Sequence, residues 1–161
     1  MKRLLLMLLM CLLGACAAQA PLPEQLPTLT LPMQLHIQRE QADQRQDWLL
    51  VIQREGPGLR WSLLDLLGIP QARQLLNQGQ WQADGFLPPN PAARELFAAL
   101  LFALTPDGQL EQRYPDARQQ GHQRWLKERW RVEYRHADDF TLNLKQSLRY
   151  RVSPLPSETT P

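Results

Sequence analysis

Histidine, serine and paired carboxylates are the side chains here that could do chemistry, and their spacing argues against it. His36, His122 and His136 are too widely separated for the His-x-x-x-His spacing that puts two metal ligands on one helix face. Ser62, Ser147, Ser153 and Ser157 all lie outside any Gly-x-Ser-x-Gly turn of the kind that exposes a nucleophile. His136 beside Asp138 and Asp139 would hold a metal only loosely, and the same three residues make an ordinary polar turn. A carboxylate pair used for acid–base work belongs in an apolar cleft, whereas Asp138-Asp139 reads as exposed. No glycine-rich phosphate loop is present. The expectation is a protein that is not an enzyme, with no catalytic residue, metal or cofactor.

The remaining reactive side chain of interest is a thiol. Cys11 and Cys16 are the two cysteines of the 161 residues, and both lie near the start of the chain. Lys2 and Arg3 precede an unbroken apolar run from Leu4 to Leu13, then Gly14-Ala15-Cys16. The run is shorter than the roughly 20 apolar residues a membrane-spanning helix needs, so it reads as a secretory signal peptide. Leu13-Gly14-Ala15-Cys16 resembles the bacterial lipobox. That resemblance implies cleavage before Cys16 and lipid on its sulfur, with palmitate-like acyl chains as the anchor. Each buried methylene contributes about 0.8 kcal/mol, so several chains hold a domain durably at a bilayer. Cleavage after an Ala-x-Ala site, at Ala15-Cys16-Ala17 or Ala18-Gln19-Ala20, is the alternative. Ala17 stands where inner-membrane lipoproteins carry Asp. The resemblance therefore implies the bacterial outer membrane, with the body facing the periplasm. Lys2 and Arg3 account for the whole formal charge of +2, so the remaining 16 basic side chains balance 16 acidic ones. No basic footprint for nucleic acid is left.

The elements that would position a site lie further on. The expected division is a signal peptide at 1–15, a lipidated Cys and Pro-rich tether at 16–33, one domain at 34–153 and a flexible tail at 154–161. Pro21, Pro23, Pro27 and Pro32 favour an extended spacer. Gln34 to Glu40 alternates as a strand. Asp47 to Glu55 and Leu59 to Leu66 read as a hairpin around Gly56-Pro57-Gly58. Short strands are expected at Arg73 to Asn77 and Gln80 to Ala83. Asn90 and Pro91 open a helix from Ala92 to Leu104 that is apolar nearly all round, which marks it as buried or as the cover of an apolar cavity. Thr105-Pro106-Asp107-Gly108 ends it. Trp130 to Tyr134 alternates with Arg131 and Glu133, and Phe140 to Leu144 with Leu148 to Val152 reads as a final hairpin. The predicted fold is mainly β (α+β): a strongly curved antiparallel sheet, open as a half-barrel, with one apolar helix as its lid.

From Leu35 to Val152 the chain resembles the outer-membrane lipoprotein receptor LolB, and more closely a LolB-like lipoprotein family of unknown function encoded with fatty-acid-like biosynthesis genes, notably those for aryl polyenes. The hairpin ending in Asp65-Leu66-Leu67-Gly68, then Leu87-Pro88-Pro89 before the helix, and Trp130-Arg131-Val132-Glu133-Tyr134 carry the resemblance. It implies a cavity for acyl chains and a membrane-delivery role for the loop leucine Leu67. Asp65-Leu66 replaces the Asn-Pro of LolB at that loop, and Leu66 or Leu67 closing the core is the alternative.

A hydrophobic binding site would draw on Trp48, Leu50, Ile52, Trp61, Leu63 and Trp81 from the sheet, with Leu96, Phe97, Leu100, Leu101 and Phe102 from the helix. Such walls suit an acyl or polyene chain because they bury its area without orphaning polar groups. The same residues would also make an ordinary dry core. The expected partners are the outer membrane, reached through the anchor, and a hydrophobic lipid or lipoprotein cargo. Arg124, Arg129, Arg131 and Arg135, beside Trp125 and Trp130, suggest a second role: an adapter surface for a lipid biosynthesis or export complex. A solvated strand face is the plainer account of them.

Overall fold

The computed structural model describes residues 19–155 apart from Phe86 and Pro89. The expected signal peptide, Cys16 and the end of the tail lie outside the described residues. Ten strands run in chain order: β1 (Met33–Gln41), β2 (Gln44–Glu55), β3 (Gly58–Asp65), β4 (Pro70–Asn77), β5 (Gln80–Ala83), β6 (Ala117–Gln120), β7 (Gln123–Leu126), β8 (Trp130–His136), β9 (Asp139–Asn143) and β10 (Arg149–Pro154). Between β5 and β6 come two helices, α1 (Pro91–Leu104) and α2 (Asp107–Arg113).

All ten strands form one antiparallel sheet in the order β5-β4-β3-β2-β1-β10-β9-β8-β7-β6. Each half is a meander of hairpins. The halves meet where β1 pairs with β10, from Leu35 opposite Pro154 to Glu40 opposite Arg149. The sheet does not close: β5 and β6 are its two edges, and the helices carry the chain from one to the other. Alternation decides which face is apolar. On β2, Leu50 and Ile52 are buried while Leu49 and Val51 are half-buried on the other face. On β3, Leu59, Trp61 and Leu63 share the buried side. Gly58 is required at the hairpin because a Cβ there would sit 2.6 Å from the Leu76 carbonyl oxygen.

The apolar face is covered by α1. The Asn90 side chain accepts a hydrogen bond from the Ala93 amide at 3.0 Å, and Pro91 occupies the first turn, where its missing N–H costs nothing. From Leu96 to Leu104 every residue is buried. Phe97 packs on Trp61 of β3 and Trp81 of β5, with ring centroids 5.5 and 5.8 Å away. One turn and a half later, Phe102 packs on Trp130 of β8 at 5.8 Å. One helix therefore touches both halves of the sheet.

Several expectations need correcting. There are two helices, not one. Pro106 ends α1, but Asp107 then opens α2, where a carboxylate in the first turn favours helix. Strand β6 was not expected because Ala117 to Gln120 is almost wholly polar, and β7 was expected only as part of an arginine-rich strand region because it puts Arg124 on the same face as Leu126. Strand β4 begins at Pro70 rather than Arg73. Ser153 and Pro154, expected in or next to a frayed tail, pair with His36 and Leu35. The proline-rich segment forms no helix or strand from residue 19 to Pro32 and is laid onto the body. Pro23, Pro27 and Leu29 are buried, and Leu22, Leu26 and Leu31 pack against the core. The Thr28 amide donates to Gln109 Oε1 at 3.0 Å and Arg113 donates to Gln25 Oε1 at 2.6 Å, both on α2. Alternating prolines dictate an extended chain, and the leucines between them give it an apolar edge to bury.

Candidate functional site

The eleven residues expected to line an apolar cavity are mostly brought together, as a packed core. Leu50, Ile52, Trp61, Leu63, Leu96, Phe97, Leu100, Leu101 and Phe102 are all buried in one cluster. Trp81 is half-buried and closes its edge, with its ring perpendicular to Trp61 at 5.8 Å. Trp48 is half-buried and packs against the same cluster, its ring 6.4 Å from that of Tyr150.

Open space lies beside this cluster, not inside it. A cavity of about 1130 Å³ is bounded by Leu22 and Pro21 of the N-terminal segment, Tyr114 after α2, Leu126 to Arg129 at the β7–β8 turn, and Leu144 to Leu148 at the β9–β10 loop. A second hollow of about 650 Å³ lies on the other side of the segment, against Trp81, Gly79 and the start of α1. Leu22, Glu95 and Arg129 border both. The first cavity has leucine and tyrosine walls, and its polar lining mixes Arg113, Lys127, Arg129 and Lys145 with Glu95, Asp116 and Glu128, Lys127 being paired with Asp116 at 2.9 Å, so it suits a chain-like apolar ligand and favours neither sign of charge.

Glu95 is the electrostatic centre of this region. It is the one acidic residue of α1; it follows Arg94, and every residue after it is apolar. Arg129 donates to it twice, Nε to Oε1 at 2.8 Å and Nη2 to Oε2 at 2.6 Å, and Trp130 Nε1 donates to Oε1 at 2.7 Å. Burial pushes the carboxyl's pKa up, but the hydrogen bonds from Arg129 and Trp130 outweigh it and hold the group below its ordinary value. The same contact raises Arg129 further. At neutral pH the pair is ionised and closes the space between α1 and the β7–β8 turn.

The basic residues that suggested a partner surface are engaged within the chain. Arg131 pairs with Glu133 and Arg135 with Asp139. Arg124 is 1% exposed. Its Nη1 donates to the carbonyls of Phe102, Ala103 and Thr105 at 2.9, 3.3 and 2.8 Å, and its Nη2 to Asp107 Oδ1 at 2.6 Å. Its guanidinium lies 5.2 Å from the Tyr134 ring, whose hydroxyl donates to the Ala103 carbonyl at 2.6 Å. A cation thus satisfies the last carbonyls of α1, where the helix dipole is negative.

The β3–β4 loop carries the most exposed apolar side chains: Leu66 is 72% exposed, Leu67 84% and Ile69 54%. Neither leucine closes the core. The loop is held in this form by Asp65, whose Oδ1 accepts from the amides of Leu67 and Ile69, both at 2.9 Å. Gly68, at φ +80°, makes the turn that an L side chain would strain. Leu66 and Leu67 border a shallow hollow with Trp48.

Of the histidines, His36 bonds Asp47 at 2.9 Å, and no three His, Cys, Asp or Glu side chains cluster among the described residues. Nor, among those residues, is any helix long and apolar enough to cross a membrane. Sequence reasoning missed the cavity walls Leu22, Tyr114, Leu126, Leu144 and Leu148. The signal was present only in part: Leu144 and Leu148 flank a polar gap at Lys145-Gln146-Ser147. No family model matches the chain, and no curated protein matches it either.

Proposed function

We propose that this chain is a lipid-anchored protein of the bacterial outer membrane, held through Cys16, that takes up a hydrophobic acyl or polyene chain, free or carried by a lipoprotein, on the periplasmic face. In this reading the open sheet is a LolB-like half-barrel and α1 is its fixed cover. The observation that carries it is the β3–β4 loop. Exposing three large apolar side chains on a turn built to display them costs solvation, and the cost is recovered when they enter an apolar phase. The open cavity of about 1130 Å³ adds room for a chain. Cargo would rest there, against Leu126, Leu144 and Leu148, not between the sheet and the helix, and Leu67 would touch the bilayer that receives it.

Native mass spectrometry of the Cys16→Ala chain, purified from a periplasm with lipid extraction alongside, tests this. A stoichiometric bound mass that Leu148→Glu abolishes is the expected result. A protein that stays ligand-free after incubation with fatty acids and aryl polyenes overturns it.

A further inference from the structure

Pro21 and Leu22 line one hollow and Ala20 and Leu22 the other, so the segment runs along the boundary between them. Both hollows are bordered by Leu22 on the segment and by Glu95 and Arg129 beneath it. The hydrogen bonds that hold the segment to α2 come later, at Gln25 and Thr28. Ala20 and Leu22 are only partly buried, and Leu22 packs on the edge of the core. The chain here is extended, narrow and apolar, which is also the shape of an acyl chain.

We infer that residues 20–22 occupy part of the ligand groove and that a linear acyl chain binds by displacing them, joining the two hollows into one cleft from the β9–β10 loop to the β4–β5 hairpin. The inference rests on the acyl-binding reading above and adds where the chain lies and what it competes with. The fixed point is Gln25, so residues 20–22 swing out while 25–29 stay on α2. Cys16, the expected acyl site, precedes the displaced stretch by a few residues. Ligand uptake would therefore change the path of the chain that leads to the anchor. Displacement costs the packing of Leu22, so the intact protein binds more weakly than one whose segment is already loose.

The test uses the Cys16→Ser chain and cis-parinaric acid, a fluorescent linear polyene fatty acid. Leu22→Ser in that chain should raise the affinity for the probe about tenfold, with near-ultraviolet circular dichroism unchanged. Nitrogen-15 relaxation on the parent chain gives a second readout that needs no variant at the segment. Bound probe should lower the heteronuclear NOE at the Ala20 and Leu22 amides and leave Leu26 and Leu29 as they were. Equal or weaker binding by Leu22→Ser, or a raised or unchanged NOE at Ala20 and Leu22, overturns the displacement while leaving acyl binding in place. If neither chain binds the probe, both readings fall.

Discussion

The two ends of α1 are held in opposite ways. At the C-terminal end, three carbonyls converge on the buried guanidinium of Arg124, Tyr134 adds a fourth bond, and Phe102 packs on Trp130 and Tyr114. At the N-terminal end the helix meets Arg129 through Glu95, beside hollows on either side of a thin strap of chain. One end is locked by a buried cation. The other is bordered by space on either side of the strap and is held by bonds from Arg129 and Trp130 to Glu95 and by Gln74, which bonds Asn90 and Arg94. The end with fewer buried contacts is the one expected to loosen first, while α1 as a whole stays in place as the cover of the sheet.

Breaking the filled end should cost most. Arg124→Ala leaves the last carbonyls of α1 buried without a donor and removes the partner of Asp107. Urea unfolding should show a loss of about 3–5 kcal/mol, or no folded protein at all. A loss below about 1 kcal/mol would mean the C-terminal end is not locked as described.

The open end should cost less and should respond to acid. Glu95→Gln is expected to lose about 1–2 kcal/mol at neutral pH, by urea unfolding. The folded pKa of Glu95 lies below its ordinary 4.5, so its contribution is complete above that value and is lost as pH falls through the folded pKa. The gap between wild type and Glu95→Gln should therefore shrink as pH falls below the ordinary 4.5 and through the folded pKa. A gap that widens in acid would reverse the assigned sign.

The smallest effect on stability belongs to a residue outside both ends. Leu67→Ser should change unfolding by less than about 0.5 kcal/mol, since the side chain is exposed. It should nevertheless reduce co-sedimentation with phosphatidylethanolamine–phosphatidylglycerol vesicles. Unchanged vesicle binding would separate the loop from any bilayer role.

The sequence made some of this legible for physical reasons. Alternation around Gly56-Pro57-Gly58 specified the β2–β3 hairpin, and Asn90-Pro91 before an apolar run specified α1. What escaped notice depended on contacts between distant residues. Arg124 reads as exposed because arginine usually is. The clue was its parity: it is two residues before Leu126 and therefore on the same side of β7. The prolines before Met33 announce an extended chain but say nothing of the surface it lies on. The apolar residues chosen from the sequence as cavity walls lie within strands and the helix, and most of those fill the centre of the molecule. The cavity is walled largely by equally apolar leucines at element and loop ends, where periodicity gives no signal.

The pairing of β1 with β10 has a consequence for how the chain is made. Every other strand pair is a hairpin of near neighbours, which can form in microseconds. The β1–β10 ladder closes a loop of about 120 residues, from Leu35 to Pro154. During synthesis the open edge of β1 therefore waits, exposed, until β10 emerges. An edge left unpaired that long invites pairing with another chain. Arg39 and Glu40 on β1 put charge along that edge, which keeps it soluble until Arg149 and Arg151 arrive.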